Sequence, residues 1–140
     1  MKTLNELHMK RCLVIFLVLL VFCSCSKDPD PTEVHVVITQ HPSGGKQQES
    51  VSVTFDAQLK GEVKPIELTI EWWWESGDQT TQQLVDTERI TINTSGTTSR
   101  SAVYRTAPGY ILLNYYWAKI RWSDDTGQKE VESGKAYFTH

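Results

Sequence analysis

Apolar and polar residues alternate most regularly over residues 66–75. One side of this stretch is apolar and the other is mostly polar; the apolar side carries Ile66, Leu68, Ile70, Trp72 and Trp74, and the polar side Glu67, Thr69, Glu71 and Glu75. Because successive side chains of a strand point to opposite faces, this period of two predicts a half-buried β-strand. Trp73 places a large ring on the polar side, and we expect the rest of the domain to cover Trp72 and Trp74.

Further segments alternate in the same way and are separated by turn-forming Pro, Gly, Asn and Asp residues. Strands are predicted over residues 33–39, 50–59, 81–92 (as one strand or two short ones), 99–106, 110–123 and 129–139. Within the weaker segment 81–92, the expected core contacts are Leu84, Ile90 and Ile92. No window has a helical period, so the pattern predicts an all-β sandwich or barrel.

Residues 110–123 contain two alternating sets with different character. The uncharged set should face the core and consists of Tyr116, Ala118, Ile120 and Trp122. The other set should face outward and consists of Tyr115, Trp117, Lys119 and Arg121. A turn over residues 124–127 follows, in which Asp124 and Asp125 are expected to be solvated turn formers.

This segment resembles the F strand of fibronectin type III and immunoglobulin-like domains. There a Tyr opens the strand, apolar residues follow at every second place, and a Gly-containing hairpin leads to the last strand, as Tyr116 and Gly127 would here. Tyr110 and Leu112 depart from the usual upstream pattern, and Ala118 stands in place of the second immunoglobulin cysteine. The resemblance implies an immunoglobulin-like antiparallel β-sandwich of about seven strands over residues 33–140, free of disulfides.

The N-terminal segment has the pattern of an export signal. Lys10 and Arg11 precede an apolar run over residues 12–22, which is shorter than the ~20 residues that span a bilayer. A start at Met9 would give a more typical signal, so the choice between Met1 and Met9 stays open. Residues 1–24 are therefore predicted to be a signal peptide.

The end of the apolar run reads Phe-Cys-Ser-Cys-Ser over residues 22–26. It resembles the lipobox of bacterial lipoproteins, in which a cysteine after small residues is lipidated. Cys25 fits best because Ser24 is small, and Cys23 is the alternative; an ordinary signal peptide with incidental cysteines is the other interpretation. Residues 25–32, rich in Pro and charge, are expected to be the lipidated cysteine and a flexible tether.

The Cys-Ser-Lys-Asp start resembles lipoproteins of the Bacteroides group, in which acidic residues after the cysteine favour export to the cell surface. The resemblance implies a lipid anchor in the bacterial outer membrane, with the cell surface favoured over the periplasmic face. The membrane is thus the first expected partner, and more than one acyl chain would anchor the protein stably.

Charge and composition narrow the function classes. The net charge is −3 and the pI about 5.8, with scattered Lys and Arg, which argues against nucleic acid as a partner. All cysteines lie at or before Cys25, so no cysteine-based metal site is expected in the body. No nucleophile, acid–base pair or cofactor motif stands out, and we expect no catalytic residue, metal or cofactor.

If residues 66–75 and 110–123 are neighbouring strands, their outward residues form one surface with two exposed indoles. The candidate ligand- or partner-binding residues are Glu71, Trp73, Glu75, Tyr115, Trp117, Lys119 and Arg121. Aromatic rings rimmed by polar groups are typical of interaction sites for a glycan or an envelope protein. The expectation is a non-catalytic binding module. The alternatives are a structural or assembly lipoprotein that uses this face as an oligomer or partner contact, and ordinary cross-strand packing.

Overall fold

The computed structural model describes residues 28–46, 50–105 and 114–139 of the chain. The predicted signal peptide, Cys25 and the beginning of segment 110–123 lie outside these residues. The described residues form strands and no helix: β1 (Glu33–Gln40), β2 (Gly45–Lys46), β3 (Ser50–Lys60), β4 (Ile66–Ser76), β5 (Gln82–Ile92), β6 (Gly96–Arg105), β7 (Asn114–Asp124), β8 (Gly127–Glu132) and β9 (Ala136–Thr139).

The strands form two sheets that pack face to face. One sheet has the order β1-β3-β6, and the other has the order β2-β9-β7-β4-β5, with β8 also paired to β7. All pairs are antiparallel except the short β2–β9 pair. The predicted all-β, antiparallel sandwich is confirmed, and the described residues form nine strands where about seven were expected.

The core contains most of the side chains that the alternating pattern assigned to it, but Trp74, expected to be covered, is only half-buried against it. Trp72 and Phe55 are fully buried from opposite sheets, and the inward set of β7 is buried as predicted. Trp72, Tyr104, Tyr116 and Phe138 follow one another with ring centroids 5.7–6.2 Å apart. Each large apolar side chain removed from water contributes about 1.5–3 kcal/mol, so this aromatic row is a main source of stability.

One polar atom of the core is unpartnered. Nε1 of Trp72 has no hydrogen-bond partner within the part of the chain that the structure describes. A buried donor without a partner costs about 1–3 kcal/mol. Trp72 therefore stabilises the sandwich through the burial of its ring alone.

Strand β5 is one continuous strand, and its pairing to β4 contains a bulge. Ile90 pairs with Leu68, but beyond the irregularity at Trp72 and Trp73 the partner of Trp73 is Leu84. An extra residue reverses which side chains face the core. Leu84 is consequently 43% exposed, and its expected role as a core contact is wrong, while Ile92 is buried as predicted.

The predicted last strand, residues 129–139, is divided into β8 and β9. At the break, Ser133 donates its backbone N–H to the Ala118 carbonyl, and its hydroxyl accepts the Ala118 N–H, each at 2.9 Å. The hydroxyl thus replaces a backbone carbonyl in the ladder. The chain can then leave the regular pleat at Gly134 and Lys135 before pairing resumes.

The β7–β8 turn fastens the beginning of the sandwich. Asp124 Oδ2 accepts the Val34 N–H, and Asp125 Oδ2 accepts the Thr32 N–H, both at 2.9 Å. These two carboxylates, expected to be solvated, are therefore backbone acceptors for the entering chain. Burial would raise the pKa of Asp124, but hydrogen bonds from Thr126 and Val34 and the Lys129 ammonium outweigh it and hold the pKa well below its ordinary value.

The contacts of the sandwich begin before β1. The Asp30 carbonyl accepts the Glu62 N–H at 3.0 Å, and Thr32 is fully buried. Gly61 has φ +79° and its Cα lies against the Pro31 carbonyl, so a Cβ there would overlap that oxygen. The chain is thus held from Asp30 onward beside the β3–β4 turn.

Candidate functional site

The outward residues of β4 and β7 meet on the outer face of the six-stranded sheet. The strands pair antiparallel with Trp73 opposite Trp117 and Glu71 opposite Lys119. We call this surface the Trp73 face; it includes all the predicted binding residues, namely Glu71, Trp73 and Glu75 of β4 and Tyr115, Trp117, Lys119 and Arg121 of β7. The structure therefore brings together every residue that the sequence proposed for one surface.

The two indoles of the Trp73 face form a stack. Their ring centroids are 6.2 Å apart and their planes differ by 20°. Lys135 Nζ lies 4.4 Å from the ring centroid of Trp117, and Lys119 Nζ lies 5.8 Å from that of Trp73. An ammonium over an indole is attracted by the ring quadrupole.

The expectation of two exposed indoles is wrong for one of them. Trp117 is only 5% exposed, because Trp73 and Lys135 cover it, whereas Trp73 is half-buried. Trp117 therefore packs beneath Trp73, and Trp73 is the indole that can contact a ligand.

Glu75 is also covered, although it lies on the outer side of β4. It is 4% exposed; its Oε2 lies 2.7 Å from Lys135 Nζ, and its Oε1 accepts the Gln82 side-chain N–H at 2.6 Å. These two bonds, first that from Lys135, lower the pKa of Glu75. Glu75 is thus an ionised group that fixes Lys135 over Trp117.

Glu71 links the indole to the charged rim of the face. Its Oε2 accepts the Trp73 Nε1–H at 3.0 Å, and its Oε1 lies 3.2 Å from Arg121. The guanidinium of Arg121 also lies 3.3 Å from Glu130 of β8. Trp73 is consequently fixed by a hydrogen bond as well as by its stack, which lowers the entropy lost when a ligand binds.

The remaining predicted residues border this centre. Lys119 Nζ lies 2.6 Å from Glu132 of β8. Tyr115 contacts Tyr137 of β9 with a centroid distance of 4.7 Å, and Tyr137 is 38% exposed. Aromatic side chains therefore continue from the indoles on β4 and β7 to β9.

Several residues of the site were not found from the sequence. They lie on β5, β8, β9 and the β8–β9 break, and they are Gln82, Leu84, Glu132, Lys135 and Tyr137. The alternation of Tyr137 with Ala136 and Phe138 was the one local signal available, because it places Tyr137 outward. For Lys135 there was none, since its position depends on the break after Ser133.

Two hollows lie on the Trp73 face. The smaller, which we call the indole hollow, has a volume of about 170 Å³ and is lined by Trp73, Gln82, Trp117, Lys119, Glu132 and Lys135. The larger, which we call the polar groove, has a volume of about 690 Å³ and is lined by Glu67, Thr69, Arg121, Trp122, Ser123, Gln128, Lys129 and Glu130. The first can contain one small ring and offers an aromatic wall with hydrogen-bonding groups around it.

Residues 28–46, 50–105 and 114–139 contain no group of three His, Cys, Asp or Glu side chains arranged to hold a metal ion. Within the same ranges, no helix has the length and apolar character needed to cross a membrane.

Comparisons with known proteins give no family for this chain. No family model matches it, and no curated protein matches it. Among solved structures, the sporulation control protein Spo0M from Bacillus subtilis is similar with a TM-score of 0.43 and 10% identity, covering 79% of this chain and 50% of Spo0M. A protein described as ApaA from Bordetella pertussis has a TM-score of 0.33 and 13% identity, covering 76% of this chain and 92% of that protein. This chain thus spans half the length of Spo0M, and neither similarity carries a functional conclusion.

Proposed function

We propose that this chain is a lipid-anchored, non-catalytic protein of a bacterial outer membrane that recognises a glycan through the Trp73 face. The observation that carries the proposal is the indole hollow, in which a half-buried Trp73, fixed by Trp117 and Glu71, stands beside amide, ammonium and carboxylate groups. The apolar face of a sugar ring stacks on an indole, and its hydroxyls bond such side chains. A small number of placed polar groups beside aromatic surface is the usual composition of a ligand site.

Binding should be tested with a panel of envelope and plant polysaccharides. We expect Trp73→Ala to lose retention on the polysaccharide that retains the natural protein. Val103→Ala is the matched control, because Val103 is 46% exposed and lies on the three-stranded sheet. Equal retention of folded Trp73→Ala and natural protein would reject the site.

The lipid anchor is proposed from the resemblance at residues 22–28. Metabolic labelling with a fatty-acid analogue tests it directly: the label should be lost in Cys25→Ser and kept in Cys23→Ser. Loss in Cys23→Ser alone would move the anchor to Cys23, and an unlabelled natural protein would reject lipidation.

A structural or assembly role is the second candidate, and one observation favours it. Leu84 and Tyr137 are exposed on either side of the stacked indoles, so the apolar surface crosses the sheet from β5 to β9. Such a row fits a contact with a second copy or a partner protein. Solution scattering at several concentrations distinguishes glycan recognition from assembly. Self-association of the natural protein that is lost in Leu84→Ser would support the assembly role.

A further inference from the structure

We propose that the indole hollow and the polar groove together form one binding track, with the indole hollow at one end. The ligand of this track is a linear, uncharged oligosaccharide rather than a single terminal sugar. This inference rests on the proposed glycan recognition. It begins from the position of the two hollows, which share the outer side of β4 and β7.

The indole hollow and the polar groove follow one another along the same two strands. Going down β7, Trp117 and Lys119 line the first hollow, and Arg121 and Ser123 line the second. Glu71 lies between them on β4, where it contacts both Trp73 and Arg121. A ligand that extends from the indole hollow past Glu71 and Arg121 therefore reaches the polar groove.

The length of this track exceeds that of one sugar ring. From Trp117 to Ser123 the strand advances by about 20 Å, at roughly 3.3 Å per residue. The groove volume of about 690 Å³ is four times that of the indole hollow at about 170 Å³. Several consecutive rings can lie along it, with one beside Trp73 and the others over polar side chains.

The charges of the track indicate that the ligand is uncharged. Each Lys or Arg that lines either hollow already has a carboxylate partner: Lys119 with Glu132, Lys135 with Glu75, Arg121 with Glu71 and Glu130, and Lys129 with Asp124. An anionic sugar would have to displace one of these carboxylates and would meet Glu67 as well. Hydroxyl groups, by contrast, can donate to the carboxylates and accept from the cations without breaking the pairs.

The backbone of the track favours a sugar chain over an extended peptide. A peptide that adds to a sheet needs the free N–H and C=O groups of an edge strand. Here β4 lies between β5 and β7, and β7 lies between β4 and the strands β8 and β9, so both backbones are already paired. Recognition must come from side chains such as Thr69, Ser123 and Gln128, which suit hydroxyls.

Chain-length dependence of binding tests the inference. Full-length protein, in a detergent without a sugar headgroup, is titrated calorimetrically with neutral gluco-, xylo- and manno-oligosaccharides of one to six rings. Polygalacturonate fragments of the same lengths provide the anionic comparison. For the series that binds, affinity should rise at least about tenfold from the shortest to the longest member, as two or three added hydrogen bonds would give.

Variants locate the two parts of the track. Ser123→Ala with Gln128→Ala should remove the gain for long members and leave the shortest one unchanged. Trp73→Ala should weaken every length. The matched control is Gln58→Ala with Thr97→Ala, which are paired neighbours on the three-stranded sheet. It should change neither the affinity for the shortest member nor the gain with chain length.

The outcomes separate this inference from the proposed function. Affinity that is independent of length, yet lost in Trp73→Ala, would keep the sugar site and overturn the track. Preference for the polygalacturonate fragments would overturn the uncharged ligand. Binding of no member of any series would overturn glycan recognition itself, and the track with it.

Discussion

The ammonium of Lys135 lies 2.7 Å from Oε2 of Glu75, and it covers Trp117 at the same time. This pair joins the β8–β9 break to β4 across the intervening strand β7. The ammonium that covers the indole stack is therefore held by the Glu75 carboxylate, whose pKa is lowered by this contact.

The Lys135–Glu75 pair should make stability depend on pH. The folded pKa of Glu75 lies below its ordinary value of 4.5, so the pair stabilises the fold above that pH and loses its effect as pH falls through the folded pKa. We expect Lys135→Met to melt a few degrees below the natural protein at pH 7, with a difference that shrinks toward pH 3. Circular dichroism melts over this range measure it.

Lys60→Met is the control for this experiment, because Lys60 is exposed at the end of β3. It should melt like the natural protein at every pH. A Lys135→Met difference that stays constant from pH 7 to pH 3 would show that Glu75 is not the group responsible.

The hydroxyl of Ser133 should stabilise the divided last strand. Ser133→Ala leaves the buried Ala118 N–H without its acceptor, so the free energy of unfolding should fall by about 1–3 kcal/mol. Ser123→Ala, an exposed serine of β7, should change it by less than about 0.5 kcal/mol. Urea unfolding measures the free energy of unfolding of both variants. An equal loss in Ser133→Ala and Ser123→Ala would mean that water replaces the Ser133 hydroxyl.

The two stacked indoles should contribute unequally to stability. Trp117→Ala removes a buried ring and should cost about 3–5 kcal/mol, whereas Trp73→Ala should cost clearly less because Trp73 is half-buried. A double-mutant cycle should give a coupling of about 0.5–1.5 kcal/mol for the stacked pair. Additive effects would show that the rings are close without stabilising one another.

The Asp124 carboxylate should hold β1 in place over a wide pH range. Asp124→Ala leaves the buried Val34 N–H unpaired, and we expect a loss of about 1–3 kcal/mol in the free energy of unfolding. Because the folded pKa of Asp124 is well below its ordinary value, the loss should persist at pH 4 and vanish only in stronger acid. Asp124→Asn, which keeps an acceptor, should lose less in the same denaturation series.

The orientation of side chains within single strands could be predicted from the sequence. The inward sets of β3 and β7 are buried as the alternation required, as is that of β4 except for the half-buried Trp74, and Trp73 faces outward. These properties depend only on the period of two in an extended chain. The adjacency of β4 and β7 followed from the immunoglobulin-like resemblance, and the register then placed Trp73 opposite Trp117.

What the sequence did not indicate depends on contacts between distant segments. Leu84 faces outward because a bulge shifts β5 by one residue, and no local pattern marks that shift. Trp117 and Glu75 are covered because Lys135 reaches them from a break in the last strand. Similarly, Asp124 and Asp125 had the composition of a turn, and only the position of β1 beside them makes them acceptors.

If Cys25 carries the proposed lipid, the hydrogen bond between Asp30 and Glu62 of the β3–β4 turn limits how far the body can stand from it. Five residue steps separate Cys25 from Asp30, and even fully extended they reach at most about 18 Å. Such an anchor would keep the β3–β4 and β7–β8 turns low, near the headgroups. Trp73 lies seven residues along β4 from Ile66, so roughly 23 Å of strand would separate its ring from the anchored end of the sandwich.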